Sequence, residues 1–345
     1  MKNLFLSWIQ ISLTLVFLAP VWSVTSALAQ DAKNTGDSSR TVRAFVTNFG
    51  GTGVSVIDVQ KGQLVAEIKT GSKPHGVVIA PDGETVYVSN EGDGTISIID
   101  PGRNAVVATV EVGKSPNQIA VSADGKQVFV TLNTDDSLVV VDTATRKVTQ
   151  RIPVGRAPHI AIRSPDGKVI YVTCEGDMKL VTVSASSLKI VGETPLFAWP
   201  RVPAVTPDGK RVYQTIRWLN GVLVIDPVKQ QVIDRVSLGE PQFASEGKDA
   251  HGIAVTPDGT QLWLSTQTTN DVTIFGTNDH RVIGHVSVGR NPNWLEFSPD
   301  GTFAVVSNTG SNDVSVIDVA LRKVVATVKV GASPKRLAVG KVTVK

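Results

Sequence analysis

The sequence predicts an all-β fold: a seven-bladed β-propeller with four-stranded blades, one of them shared by the N- and C-termini. Three observations predict it. Asp-Gly recurs at Asp82-Gly83, Asp124-Gly125, Asp166-Gly167, Asp208-Gly209, Asp258-Gly259 and Asp300-Gly301, with spacings of 42, 42, 42, 50 and 42 residues. A second marker keeps step with it at Asp58, Asp100, Asp142, Asp226 and Asp318, with Ser184 and Gly276 in the two remaining slots. The periodic part also opens on residues 43–48, the counterpart of a second strand (86–90), and closes on 334–339, the counterpart of a first (74–79). Six complete repeats lie between, so the two ends build a seventh together.

The elements follow in chain order. Residues 1–29 read as a secretory signal: Lys2 supplies the positive start, an apolar stretch runs from Trp8 to Val24, and Ala27-Leu28-Ala29 is a small-x-small cleavage site. Cleavage after Ala29 would leave a mature chain starting at Gln30, with a polar lead-in to residue 41 and one propeller domain over 42–345. The expected location is periplasmic or secreted, with no membrane span and a monomeric state. A single cysteine, Cys174, excludes an intrachain disulfide. The formal charge of +3 falls to +2 without Lys2, too small to imply a nucleic acid or membrane partner by itself.

Within a repeat, the second shows the plan. Residues 76–80 form an apolar run and Pro81-Asp82-Gly83 a turn; runs at 85–89, 95–99 and 106–112 follow, alternating at a period close to two. The Asp-Gly turns suit glycine's tolerance of positive φ, and Asp100, Asp142 and Asp318 fall where Asp bonds its own turn. No blade can bury both faces alone, so the repeats must close into a ring.

The stretch Pro81-Asp82-Gly83-Glu84-Thr85-Val86-Tyr87-Val88-Ser89-Asn90, with Thr95-Ile96-Ser97-Ile98-Ile99-Asp100 after it, resembles the YVTN-type propeller repeat. Tyr171-Val172-Thr173 keeps that signature, while Phe129-Val130-Thr131 and Trp263-Leu264-Ser265 vary it. The resemblance spans residues 42–340. It implies an exported propeller similar to those associated with quinoprotein alcohol-oxidation systems and, distantly, to amine dehydrogenase and lactonase propellers. It implies a fold, not a chemistry.

The loops linking one blade to the next share a Gly-x-x-Pro-x pattern. The residue after Pro (after Ala250 in one case) reads His75, Asn117, His159, Arg201, His251, Asn293 and Lys335 around the ring. These seven polar residues are expected at the channel mouth and are the candidate ligand-binding set. His75, His159 and His251 sit on alternate blades and are candidate ligands for a divalent metal on the axis. Against that, no acidic residue or cysteine is expected at their level, and caps for strand starts and channel water explain them equally.

The loops after strand two form a second ring. Blades two to four carry Glu91, Asp93, Asp135, Asp136, Glu175 and Asp177; blade five carries Arg217 and Trp218. Trp199, Arg217, Trp218, Arg290, Trp294 and Arg336 make a basic and aromatic arc, the candidate contact surface, with an insertion at 241–249 expected beside it. Packing between blades is the competing account of each tryptophan. Cys174 is expected to be a buried, inert thiol.

No nucleophile elbow, zinc-protease helix, phosphate loop or haem-attachment motif occurs. The expected function is therefore a non-enzymatic scaffold binding a protein or small ligand at the channel-mouth face. A metal-dependent hydrolase or lyase, or an accessory factor of a quinoprotein oxidation pathway, centred on the three histidines, is the second reading. Single-stranded nucleic acid on the Trp/Arg arc is the third.

Overall fold

A computed structural model describes residues 40–239 and 250–344. The expected signal sequence, most of the lead-in and the 241–249 insertion lie outside the described residues. The rest is all β: seven four-stranded antiparallel sheets, with no helix among the described residues.

The closing sheet is ordered Pro334–Thr343, Arg40–Asn48, Gly53–Asp58, Gln63–Lys69, so the last strand supplies the inner position and the first strand lies beside it. Its register runs from Arg40↔Thr343 to Asn48↔Pro334. We number this blade one, and blades two to seven follow over residues 74–111, 116–153, 158–195, 200–237, 250–287 and 292–329. The start at Arg40 precedes the sequence-based boundary by two residues.

Each blade is apolar on both faces over its inner three strands, and its outermost strand alternates, as Gln63–Lys69 does with only Ile68 fully buried. The core therefore lies between blades rather than within one: Phe45 and Val54 of blade one pack with Val77, Val86 and Val88 of blade two. Burial of that kind is worth about 1.5–3 kcal/mol per Val or Ile. The marker aspartates build the turns between strands three and four, where Asp100 accepts from the amides of Gly102 and Arg103 at 2.9 and 3.1 Å, and Asp318 from that of Leu321 at 2.8 Å. In the Asp-Gly turns glycine is required: Gly83 has φ 72°, and a Cβ there would strike the Lys341 carbonyl in blade one.

One feature of the inner strands sets up everything on the axis. Each is irregular just after its first residue, as between Pro74 and Val77 or Pro158 and Ala161. Such a bulge takes an amide out of the ladder and re-aims the local side chains. The freed amide still needs an acceptor. In every blade a hydroxyl on the second strand provides it: Thr47 accepts from Arg336, Ser89 from Gly76, Thr131 from Gln118, Thr173 from Ile160, Thr215 from Val202, Ser265 from Gly252 and Ser307 from Trp294, all at 2.8–3.2 Å. In five blades the same hydroxyl also donates to the carbonyl of the ring residue in the next blade, at His75, Asn117, His159, His251 and Lys335. The bulge, its satisfied amide and the neighbouring blade are thus one hydrogen-bonded unit.

Candidate functional site at the channel mouth

The bulges bring the ring residues toward the axis. His75 and His159, from alternate blades, have ring centroids 5.9 Å apart. His75, Asn117, His159, His251 and Asn293 are buried, and Arg201 and Lys335 are half-buried. The loops after strand two of blades two and four reach in over them. Glu91 Oε2 lies 2.9 Å from His75 Nδ1, and Glu175 Oε1 lies 3.2 Å from His159 Nδ1. Both approaches are off the N–H axis of the ring, so they are close electrostatic contacts rather than in-line hydrogen bonds. This corrects the expectation that no acidic group shares the histidines' level: residues 16 positions apart in sequence meet because the strand-two loop folds back over the strand-one bulge.

Arg336 occupies the centre. It is 2% exposed, and its Nη1 donates to Asn293 Oδ1 at 2.8 Å while Nη2 lies 3.5 Å from His159 Nε2. The guanidinium stacks 4.5 Å above the ring of Trp294, itself 5% exposed. Asn293 also holds His251, whose Nδ1 lies 2.8 Å from its carbonyl. Arg336 has no carboxylate within ion-pair distance among the described residues, and its Nε has no partner. Arg336 and Trp294, read as members of the contact surface, are instead buried, and for Trp294 this is the competing account, packing between blades. They stand two residues after the linking proline, on the bulged amide itself, and that position turns them into the channel.

The electrostatics follow from this crowding. Burial, then the charge of Arg336, holds all three imidazoles well below their ordinary value, so they are neutral at pH 7. Burial lowers Lys335 to about 8 and Arg336 to about 9, the neighbouring Arg336 and Arg201 charges respectively adding to it. Burial raises both Glu91 and Glu175, against the pull of the surrounding cations. Lys335 also sets its Nζ 3.5 Å from the centroid of Phe49, a residue the sequence reading had not singled out.

Among the described residues no group of three or more His, Cys, Asp or Glu side chains is placed to hold a metal ion. The three histidines face a fixed guanidinium instead, whose charge opposes a second cation. Cys174 is buried, and burial pushes its thiol up to about 12, which fits an inert side chain.

Of the outer arc, Trp199, Arg217 and Trp218 come together. Arg217 lies 5.0 Å from the Trp199 ring and 4.6 Å from the Trp218 ring, and the two indoles are 5.5 Å apart. Arg290 is exposed in the link before blade seven and joins neither cluster; its amide donates to Ser311 Oγ at 3.0 Å. Sequence reasoning missed Glu296, three residues beyond Asn293. Its carboxyl accepts from Trp294 Nε1 and the Val339 amide, both at 3.1 Å, and burial raises it to about 7. It lines a cavity of about 300 Å³ with Trp294, Gln118, Arg163 and aliphatic side chains.

A seven-bladed propeller with a polar, cation-rich axis is the class these observations define. The chain belongs to the family described as "Lactonase, 7-bladed beta-propeller", whose model matches residues 143–334. A second family model, "Cytochrome D1 heme domain", matches residues 44–173. No curated protein matches the sequence. Among solved structures, it is similar to hydrazine synthase of Kuenenia stuttgartiensis (24% identity, 71% of this chain and 76% of that one, TM-score 0.65). It is also similar to a putative 6-phosphogluconolactonase from Bacteroides uniformis (17%, 87% and 99%, 0.72). A third is the dihydro-heme d1 dehydrogenase NirN (17%, 83% of this chain, 0.63), of which the chain spans 63%. At these identities the likeness is one of fold.

Proposed function

We propose that this protein is a binding scaffold that takes an oxyanion-bearing ligand at the channel mouth. One observation carries the reading: a guanidinium buried on the axis with no carboxylate within ion-pair distance among the described residues. A buried charge is costly unless it is compensated. Arg336, Lys335 and Arg201 converge on one small region while the three histidines stay neutral, so a carboxylate or phosphoryl group would complete the site with charge-assisted hydrogen bonds. Calorimetric titration with phosphate and with citrate tests it. The wild type is expected to bind, more weakly as salt rises, and Arg336→Met to lose at least about tenfold, the worth of one hydrogen bond to a charged group. Equal affinity of the two proteins would overturn it.

A second reading has its own support. The family and one structural relative are named for lactone hydrolysis, and His75 beside Glu91 is a neutral imidazole next to a carboxylate, a pairing suited to general-base work. An anionic sugar lactone would use the same cations. The haem named in two of the relatives does not fit these residues as they stand. The imidazoles are buried, and His159 and His251 are engaged by Arg336 and Asn293. We place the protein in the periplasm or outside the cell because residues 1–29 read as a secretory signal. The YVTN-type motif supports a setting beside a quinoprotein alcohol-oxidation system.

A further inference from the structure

We propose a second ligand site on blade five, distinct from the axis, that takes an amphipathic carboxylate: an alkyl chain in an apolar groove with its head group on Arg217. The groove holds about 600 Å³, within the usual range of small-molecule sites. Its walls are mostly apolar, with Phe197, Ala198, Ile216, Trp218, Leu223 and Ile233 among them, and Arg217, Asp234 and Arg235 are the charged residues of the lining. Phe197 is 78% exposed and Trp218 48%, so the walls stand open to solvent.

Charge decides what the groove would hold. Arg217 is half-buried between two indoles, and no carboxylate among the described residues lies within ion-pair distance of it. Arg156 in the preceding linking loop is different: it pairs with Asp177 at 2.7 Å. Asp234, on the groove's edge, is engaged by His280 of blade six at 3.4 Å. An anion on an aliphatic body matches an apolar cleft whose lining includes the Arg217 guanidinium without a carboxylate at ion-pair distance among the described residues, with Arg235 a second cation in the same lining.

The local backbone supports the assignment independently. Where blades two and four place Glu-Gly-Asp after the second strand, blade five places Arg217-Trp218-Leu219. Trp218 has φ 64°, at a position where the same loop of blades two and four has glycine. A bulky residue in the left-handed region is strained, and such strain concentrates at functional loops. The repeat's own rule is broken here in charge, in side-chain size and in conformation together.

The test is calorimetry on the full chain with butyrate, hexanoate, octanoate and octanol. Octanoate is expected to bind, each added methylene tightening binding about fourfold until the groove is full. Arg217→Gln should bring octanoate down to the affinity of octanol. Ala198→Phe, which fills the groove and spares the arginine, should erase the chain-length dependence, and an unchanged thermal midpoint shows that either variant is folded. Arg336→Met should leave octanoate binding intact, which separates this site from the axial one. No dependence on chain length in the wild type, or octanoate binding unaffected by both groove variants, would overturn the assignment.

Discussion

The molecule contains two arginine–tryptophan stacks, and they differ in nearly everything but chemistry. On the axis, Arg336 lies 4.5 Å above Trp294, both buried, both held at a bulge whose amide is tied to a second-strand hydroxyl. On the rim of blade five, Arg217 sits between Trp199 and Trp218, the tryptophans exposed and the loop strained. The first pair is part of the framework: Trp294 packs in the same core as Val305, Val314 and Leu337. The second is decoration, whose stacking is worth about 0.5–1 kcal/mol at an exposed site. Among the described residues, both leave a cation without a carboxylate at ion-pair distance. A repeat fold can thus present the same recognition element at the centre, where the scaffold enforces it, and at the edge, where it is cheap to change.

The largest test asks whether the two stacks share one cooperative unit. Ending the chain before Pro334 removes the inner strand of blade one together with Lys335 and Arg336, and exposes sheet edges on both sides of the gap. We expect no cooperative thermal transition and loss of both sites. Retention of groove binding in a folded truncated protein would show blade five to be independent of ring closure.

Next, tryptophan truncation should separate framework from decoration. Trp294→Ala is expected to cost about 3–5 kcal/mol in urea denaturation, as a buried aromatic does. Trp218→Ala should cost under about 1 kcal/mol, since it exposes little core and relieves some strain only in part. Equal costs would dissolve the comparison.

What was legible beforehand follows the same line between framework and decoration. The seven blades and the shared closing sheet were readable because turn chemistry repeats in phase at Asp-Gly and at the strand-three aspartates. The ring from His75 to Lys335 was readable for the same reason. The exact inward set was not, because a bulge changes which side chain faces the axis, and nothing in the sequence of residues 334–339 distinguishes Lys335 from Arg336. Glu91 and Glu175 were seen as an acidic arc, yet their meeting with His75 and His159 depends on a loop folding over a different strand. Glu296 gave no signal: a glutamate in a strand reads as solvent-facing. The hydroxyl in Tyr171-Val172-Thr173 was visible as a motif, but its task as acceptor for the bulged Ile160 amide appears only in three dimensions.

A pH measurement sharpens the buried side of the comparison. His251 stays neutral in the folded protein because burial and the Arg336 charge hold its value well below the ordinary 6.5. In the unfolded chain it takes up a proton as pH falls through that value, so acid favours unfolding. The stability difference between wild type and His251→Asn should therefore move against the wild type by up to about 2 kcal/mol from pH 7 to pH 5. A pH-independent difference would mean that the imidazole titrates freely and that the axis is wetter than its geometry implies.

The smallest effect concerns how the two cations respond to base. Burial and neighbouring positive charge both work against the charged forms, lowering Lys335 to about 8 and Arg336 to about 9, so Lys335 is the first to discharge as pH rises. Arg217 sits on the rim between two indoles. Anion affinity at the mouth should then decline as pH rises from 7 to 9.5, by a fewfold at first as Lys335 discharges, while octanoate affinity at the groove stays level over the same range. The sign is fixed by which group is lost: each deprotonation removes a positive charge and with it part of the attraction for a bound anion. Parallel declines at both sites would point to a common cause, such as hydroxide competition or a change in the fold, and would leave the buried and exposed stacks electrostatically alike. A decline confined to the mouth would tie the weaker binding to the half-buried Lys335, whose charge is costly to keep because little water reaches it and Arg336 stands beside it.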